Sequence, residues 1–305
     1  MFNIKYLIKK IPFIVNLKRK IFDKELEAYG STNLNLFDTF PSYYPNSSGK
    51  YTPKAKLTIQ TINNLFYSLN FLHKELNYKS NLENFNNINR QEFIEKNLEC
   101  PKDYATKNNA INISKDLEKL FNKYGSDKSR NHIYHFFYAI MLKNRYEIRN
   151  IVEVGIGTNN IDTVSNMTSK GVPGASLRAF RDFCPNAIVI GADFDKRILF
   201  QEDRIKTFFV DQTKIESINS LNNKLSQDID LLIDDGLHSP DANINTLSMG
   251  ISKVKKGGWI VIEDIVLEAF NIWKFLKTIL ETNNFKCYLF KSGDPKRFVF
   301  AAMKK

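Results

Sequence analysis

The chain has 305 residues, 43% hydrophobic and 25% charged, the balance of a soluble globular protein that can bury a large core and divide into more than one domain. No apolar run is long enough to span a bilayer, and Lys9, Lys10 and Pro12 interrupt the N-terminus, so neither a membrane span nor a secretion signal is expected. The formal charge of +11, from 44 Lys and Arg against 33 Asp and Glu, calls for an anionic partner: nucleotide-sugar phosphates, acidic glycans, nucleic acid or a membrane surface.

Residues 1–24 place Ile4, Leu7, Ile8, Ile11, Ile14, Val15, Ile21 and Phe22 among Lys5, Lys9, Lys10, Lys18, Arg19 and Lys20, which is the pattern of a basic amphipathic helix kinked at Pro12. Such a helix rests on an anionic membrane surface, as a peripheral contact, or docks on its own protein or a neighbouring subunit; Pro12 weakens a long interfacial helix and favours docking. Residues 30–53 are rich in Ser, Thr, Asn, Pro and Tyr and read as a linker. Helical spacing returns over 56–76, and 77–112 are polar and asparagine-rich. Residues 1–112 are therefore read as a helical accessory or oligomerisation region, with a homo-oligomer expected.

A helix is expected from Ser114 as N-cap through Leu117, Leu120 and Phe121, ending at Tyr124-Gly125-Ser126-Asp127-Lys128. A second carries His132, Tyr134, Phe137, Ile140 and Met141. The polar stretch 125–132 serves as a helix cap or as a lid with an anion contact through Lys128. Cys100, Cys184 and Cys287 are widely spaced, match no metal pattern and suit reduced thiols in the cytoplasm.

From Ile151 the period changes. Strands are expected at Ile151 to Val154, Ala187 to Asp193, Thr207 to Asp211, Leu231 to Asp234 and Trp259 to Glu263, with helices at Ser176 to Phe183, Ile215 to Leu225 and Phe270 to Leu280. Phe285 to Phe290 and Arg297 to Ala302 read as a closing strand pair. This alternation predicts an α/β doubly wound sheet over 113–305.

The turn Gly155-Ile156-Gly157 and Asp193, at the end of the next strand, serve a dinucleotide or S-adenosylmethionine equally well. The dinucleotide fingerprint needs a third glycine where Asn160 stands, and the polar insert 159–174 separates the turn from its helix. S-Adenosylmethionine is therefore favoured, with Glu153, Gly155, Gly157, Asp193, Asp211 and Gln212 supplying contacts in strand order, and Asp234 counted with them.

Two apolar strands end in paired acids, Asp234-Asp235 and Glu263-Asp264, and Gly236 can swing His238 back over the first pair. An acidic pair after a strand also serves as a cap or a solvated turn, but two such pairs, one with a histidine, favour a site. Adjacent parallel strands would bring Asp235, Glu263 and Asp264 around one point, where carboxylates repel unless a cation intervenes. A hard divalent ion, magnesium or manganese, suits oxygen ligands.

With those residues in view, Glu153-Val154-Gly155-Ile156-Gly157-Thr158 resembles the S-adenosylmethionine motif of Rossmann-like class I methyltransferases. Asp234-Asp235-Gly236-Leu237-His238 followed by Gly257 to Asp264 resembles the metal-dependent sugar O-methyltransferases typified by the mycinamicin and tylosin enzymes. Tyr124 to Lys128 and Pro173 to Arg178 are similar to segments of that family, over roughly residues 115–305. The resemblance implies that Asp235, Glu263 and Asp264 ligate magnesium, that His238 is the general base, and that Ser176 lies near the cofactor's amino acid end. Leu237 stands where the family has a small polar residue, and the insert 159–174 is longer. The implied reaction is methyl transfer to a sugar hydroxyl. A nucleotide-linked sugar such as a GDP-heptose of capsule or other surface polysaccharide suits the basic charge. The alternatives are a nucleic-acid methyltransferase, disfavoured because Asp235 to His238 stands where base-modifying enzymes carry two prolines and an aromatic, and a non-catalytic interaction protein.

Overall fold

A computed structural model describes residues 96–168 and 171–305; the basic helix, the linker, the helix expected over 56–76 and the part of the polar stretch up to residue 95 lie outside them. The described chain runs α1 (Pro101–Lys107), α2 (Ile111–Tyr124), α3 (His135–Met141), β1 (Asn150–Val154), α4 (Ala175–Phe183), β2 (Ile188–Asp193), β3 (Gln201–Glu202) and β4 (Ile205–Phe209). It continues through α5 (Ile215–Asn222), β5 (Ile229–Asp234), α6 (Pro240–Lys253), β6 (Val254–Val266), α7 (Phe270–Glu281), β7 (Phe285–Lys291) and β8 (Arg297–Lys304).

The strands form one eight-stranded sheet in the order β3-β4-β2-β1-β5-β6-β8-β7. β4, β2, β1, β5 and β6 are parallel; β3, β8 and β7 run antiparallel to their neighbours. Because β2 pairs on one side of β1 and β5 on the other, the strand order reverses at β1, and the crevice where a doubly wound sheet takes its ligand opens at the carboxyl ends of β1 and β5.

Alternate residues of the central strands feed two cores. Val152, Leu232, Ile260 and Ile262 pack with Leu221 of α5, Leu247 of α6 and Trp273 of α7. Ile151, Leu231, Ile233 and Val261 pack on the other face with Phe121 of α2, Phe137 of α3 and Phe180 of α4. Burial on both faces is why these strands read as unbroken apolar runs. No helix among the described residues is long and apolar enough to cross a membrane.

Several expected boundaries move. α2 starts at Ile111, and Ser114 is not its cap: it is buried in the first turn, its hydroxyl donating to the Ile111 carbonyl at 2.8 Å. His132 lies before α3 rather than within it, in a loop where Ile133 has φ 58°. β4 ends at Phe209, leaving Asp211 in the following loop. β6 is much longer than expected, since the bulged stretch between Val254 and Trp259 keeps it alongside β5.

Candidate functional site

β1 ends in the glycine turn. Gly155 has φ 86°, and a Cβ there would run into the Asp235 carbonyl, so only glycine lets this turn lie against the tip of β5. The contact is fastened by the Asp235 amide donating to the Val154 carbonyl at 2.8 Å.

At the tip of β5, neighbouring side chains go to opposite faces, as strand geometry requires. Asp234 points inward, fully buried, and accepts from Gln212 Nε2 at 2.9 Å, Asn243 Nδ2 at 3.1 Å and the Gly236 amide at 3.2 Å. Asp235 points the other way. The chain then turns so that His238, at φ 55°, sits with Nε2 3.9 Å from Asp235 Oδ1.

β6 presents its two acids through a register shift between Ile262 and Ile265. Glu263 is buried and accepts from the Tyr138 hydroxyl. Asp264, at φ 54°, accepts from the Tyr134 hydroxyl at 2.5 Å and lies 3.4 Å from His132 Nδ1. Asp264, His238 and Ile133 all hold a left-handed conformation that non-glycine residues seldom adopt, and such strain gathers at functional sites.

Between the acids lies Lys128. Its ammonium is 2% exposed and lies 2.7 Å from Asp235 Oδ2, 2.5 Å from Glu263 Oε2 and 3.2 Å from Glu153 Oε1. Burial alone would depress the Lys128 pKa, but the three carboxylates outweigh it and raise it well above the usual range. Burial likewise pushes Glu263 and Glu153 up, opposed by Lys128. For Asp264 the burial is outweighed by His238, His132 and Arg297, which hold its carboxyl below the usual range.

Asp235, His238 and Asp264 each offer a ligand atom within 4.8 Å of the other two, a spacing suited to a metal ion. Glu263 is not part of this group: at the shift in the pairing of β6 with β8 its carboxylate turns toward Lys128 and Tyr138. The cation that the paired acids require is thus partly supplied by the chain itself.

Two cavities meet here. One, of about 450 Å³, is lined by Gly155, Gly157, Asp193, Phe194, Asp211, Gln212, Asp235 and Leu237, with Thr158 and residues 162–165 over it. The other, of about 500 Å³, is lined by Lys128, Arg130, Ala175, Ser176, Asp235, His238 and Asp264 among others. They share Gly155, Gly157, Ser165 and Asp235. Of the residues expected at the cofactor, Gly155, Gly157, Asp193, Asp211 and Gln212 line the first cavity and Ser176 the second. Glu153 and Asp234 line neither. Glu153 is buried beneath the turn, accepting from Ser176 Oγ at 2.6 Å and pairing with Lys128, and Asp234 holds the base of the β5 turn.

Asp193 also has structural duties, accepting from the Ile156 amide and the Asp195 amide, each at 2.9 Å. Lys128 was legible only as an anion contact, whereas its partners are the protein's own carboxylates. In the sequence Tyr138 stands unmarked among the apolar residues of a helix. Its spacing of four from Tyr134 was the available signal, because buried tyrosine hydroxyls need partners.

No protein-family model matches the chain. It is 27% identical over 150 residues to 8-demethyl-8-alpha-L-rhamnosyl tetracenomycin-C 2'-O-methyltransferase of Streptomyces olivaceus, covering 49% of this chain and 37% of that protein. It is 25% identical over 154 residues to the 8-demethyl-8-(2-methoxy-alpha-L-rhamnosyl)-tetracenomycin-C 3'-O-methyltransferase of the same organism, with the same coverages. The chain thus spans less than half the length of the curated relatives it matches. Among solved structures it is similar to the MycE methyltransferase of the mycinamycin pathway in complex with Mg and SAH, with TM-score 0.50, 20% identity, and 62% of this chain and 54% of that one covered. The complex of MycE with Mg, SAH and mycinamycin VI gives TM-score 0.51 at the same identity and coverage. At that identity the likeness is one of fold, and the fold is the Rossmann-like class I methyltransferase sheet.

Proposed function

We propose that this chain transfers a methyl group from S-adenosylmethionine to a sugar hydroxyl, with a divalent cation at the β5 and β6 tips. The observation that carries the proposal is the convergence of Asp235, His238 and Asp264 on the larger cavity, where it joins the cavity beneath the glycine turn. The Streptomyces relatives are named for methylating rhamnosyl hydroxyls, and MycE is solved with Mg and SAH, which supports sugar, cofactor and metal alike.

In this reading the smaller cavity takes the nucleoside, with Asp193 facing the ribose and Phe194 the base. Ser176, in the larger cavity, faces the amino acid end. Asp235 and Asp264 would hold the cation, with Glu263 behind them, because a hard ion prefers oxygen ligands. When bound, the ion lowers the pKa of an acceptor hydroxyl. Of the three convergent groups, His238 is then left to take the proton, its ring lying at the cavity wall beside Asp235. The turn that fixes Gly155 against Asp235 sets cofactor and acceptor in register, and such positioning supplies much of the rate. Arg130 on the rim and the overall positive charge favour an acceptor carrying phosphate, such as a nucleotide-linked sugar.

The test is a mass-spectrometric screen of nucleotide sugars and glycosides with S-adenosylmethionine and magnesium. Addition of one methyl group that vanishes in His238→Ala, while S-adenosylhomocysteine still binds, is the expected result. Turnover by His238→Ala at the normal rate removes the histidine from the role of base, and the absence of any methylated sugar counts against the acceptor class.

A further inference from the structure

The segment from Thr158 to Ser165 crosses over the smaller cavity, and its two ends are fastened differently. At the far end the Ser165 hydroxyl donates to the Gly236 carbonyl at 3.0 Å. At the near end it is gathered onto Asp195, in the loop after β2. Asp195 is buried and accepts from Thr158 Oγ1 and Asn160 Nδ2, each at 2.7 Å. Arg197 closes the arrangement. Its guanidinium reaches Asp195 through Nε at 2.7 Å and Nη2 at 2.9 Å, and grips Asp162 through Nη1 at 3.0 Å and Nη2 at 2.8 Å.

We propose that Arg197 is a positioning residue for the nucleoside cavity: by joining Asp162 to Asp195 it holds the crossing segment down as the cavity's outer wall and so sets cofactor affinity. The proposal rests on reading that cavity as the S-adenosylmethionine site. Asp162 and Thr163 of the crossing segment line the cavity, while Arg197 is not among its lining residues, so Arg197 acts through the segment. The chain offers a reason for this device. The insert places no helix directly after the glycine turn, so side-chain bonds share the holding with a few backbone bonds such as Met167 N–H to the Thr158 carbonyl at 2.7 Å. A planar fork that bridges two carboxylates is suited to it in a way an ammonium is not. Arg197 and Asp162 are 52% and 67% exposed, so their attraction is screened by salt, whereas the bonds to buried Asp195 are less so.

Calorimetric titration of S-adenosylhomocysteine into the wild type, Arg197→Ala, Arg197→Lys and Asp162→Asn decides the matter. If the released segment covers the cavity only a tenth of the time, Arg197→Ala raises Kd about tenfold. Asp162→Asn gives a smaller rise, and Arg197→Lys, whose ammonium cannot bridge both carboxylates, stays within about threefold of Arg197→Ala. The melting midpoint of unliganded Arg197→Ala should stay within about 2 °C, since the residue is on the surface. A wild type that binds while Arg197→Ala binds equally well overturns the inference alone. A fall in affinity matched by a large fall in melting midpoint overturns it as well, reducing Arg197 to a structural role. A wild type that fails to bind S-adenosylhomocysteine overturns the reading of the cavity and the inference with it.

Discussion

Lys128 shows how one residue can satisfy several neighbours. Asp235, Glu263 and Glu153 come from three strands, and without a positive charge between them their mutual repulsion and desolvation would oppose folding. Removing one member of a buried ionic group leaves the others uncompensated, so Lys128→Met should lose about 3–5 kcal/mol of stability. Adding Glu263→Gln to that variant should restore part of the loss, because groups in one network are not additive. Urea denaturation of both variants checks this, and a double variant no more stable than Lys128→Met contradicts it. The sequence marked the acids, since each pair ended an apolar run, but it could not reveal that Glu263 and Asp264 face different ways. That depends on the shift in the pairing of β6 with β8, a feature of two strands and not of one.

At the scale of elements, the strands were legible because burial on both faces demands unbroken apolar runs, as in Leu231 to Asp234 and Trp259 to Glu263. Less legible were pieces whose form depends on partners. The two residues of β3 exist only as an antiparallel extension of β4, and the loop before α3 is held by contacts such as His132 with Asp264. The opening of α3 carries a prediction. His135 is buried beside Phe136, its Nδ1 has no hydrogen-bond partner among the described residues, and burial lowers its pKa below the ordinary 6.5, only partly opposed by Glu118. The unfolded histidine therefore takes up a proton below pH 6.5 while the folded one resists. Stability from this group is present above that value and falls as pH drops through the window down to the lowered pKa, by up to about 1.4 kcal/mol per pH unit. Comparing urea midpoints of the wild type and His135→Phe at neutral and mildly acidic pH should show the wild type losing ground on acidification. A constant difference would contradict the assignment.

Across the described residues, one sheet with a core on each face brings the tips of β1, β5 and β6 to a single crevice, and the cysteines report on how well that body is closed. Cys184 and Cys287 are buried, each thiol pushed up to about 12 by burial, while Cys100 is half-buried. Maleimide at neutral pH should label Cys100 in the native protein and the other two only in denaturant; rapid labelling of all three in the native state would show a looser core than described. The class of fold and the crevice could both be read from the alternation of strands and helices and from where the acids fell. The sequence did not disclose the division of labour among those acids: Glu153 and Glu263 are buried against Lys128, Asp264 opens to a cavity, and Asp235 does both.

Manganese binding followed by electron paramagnetic resonance shows whether Asp235 and Asp264 hold a cation at the cavity. The wild type should bind one ion, with affinity at least about tenfold weaker in Asp235→Asn and in Asp264→Asn, as expected when an oxygen ligand loses its charge. Manganese bound with undiminished affinity by both variants would contradict it.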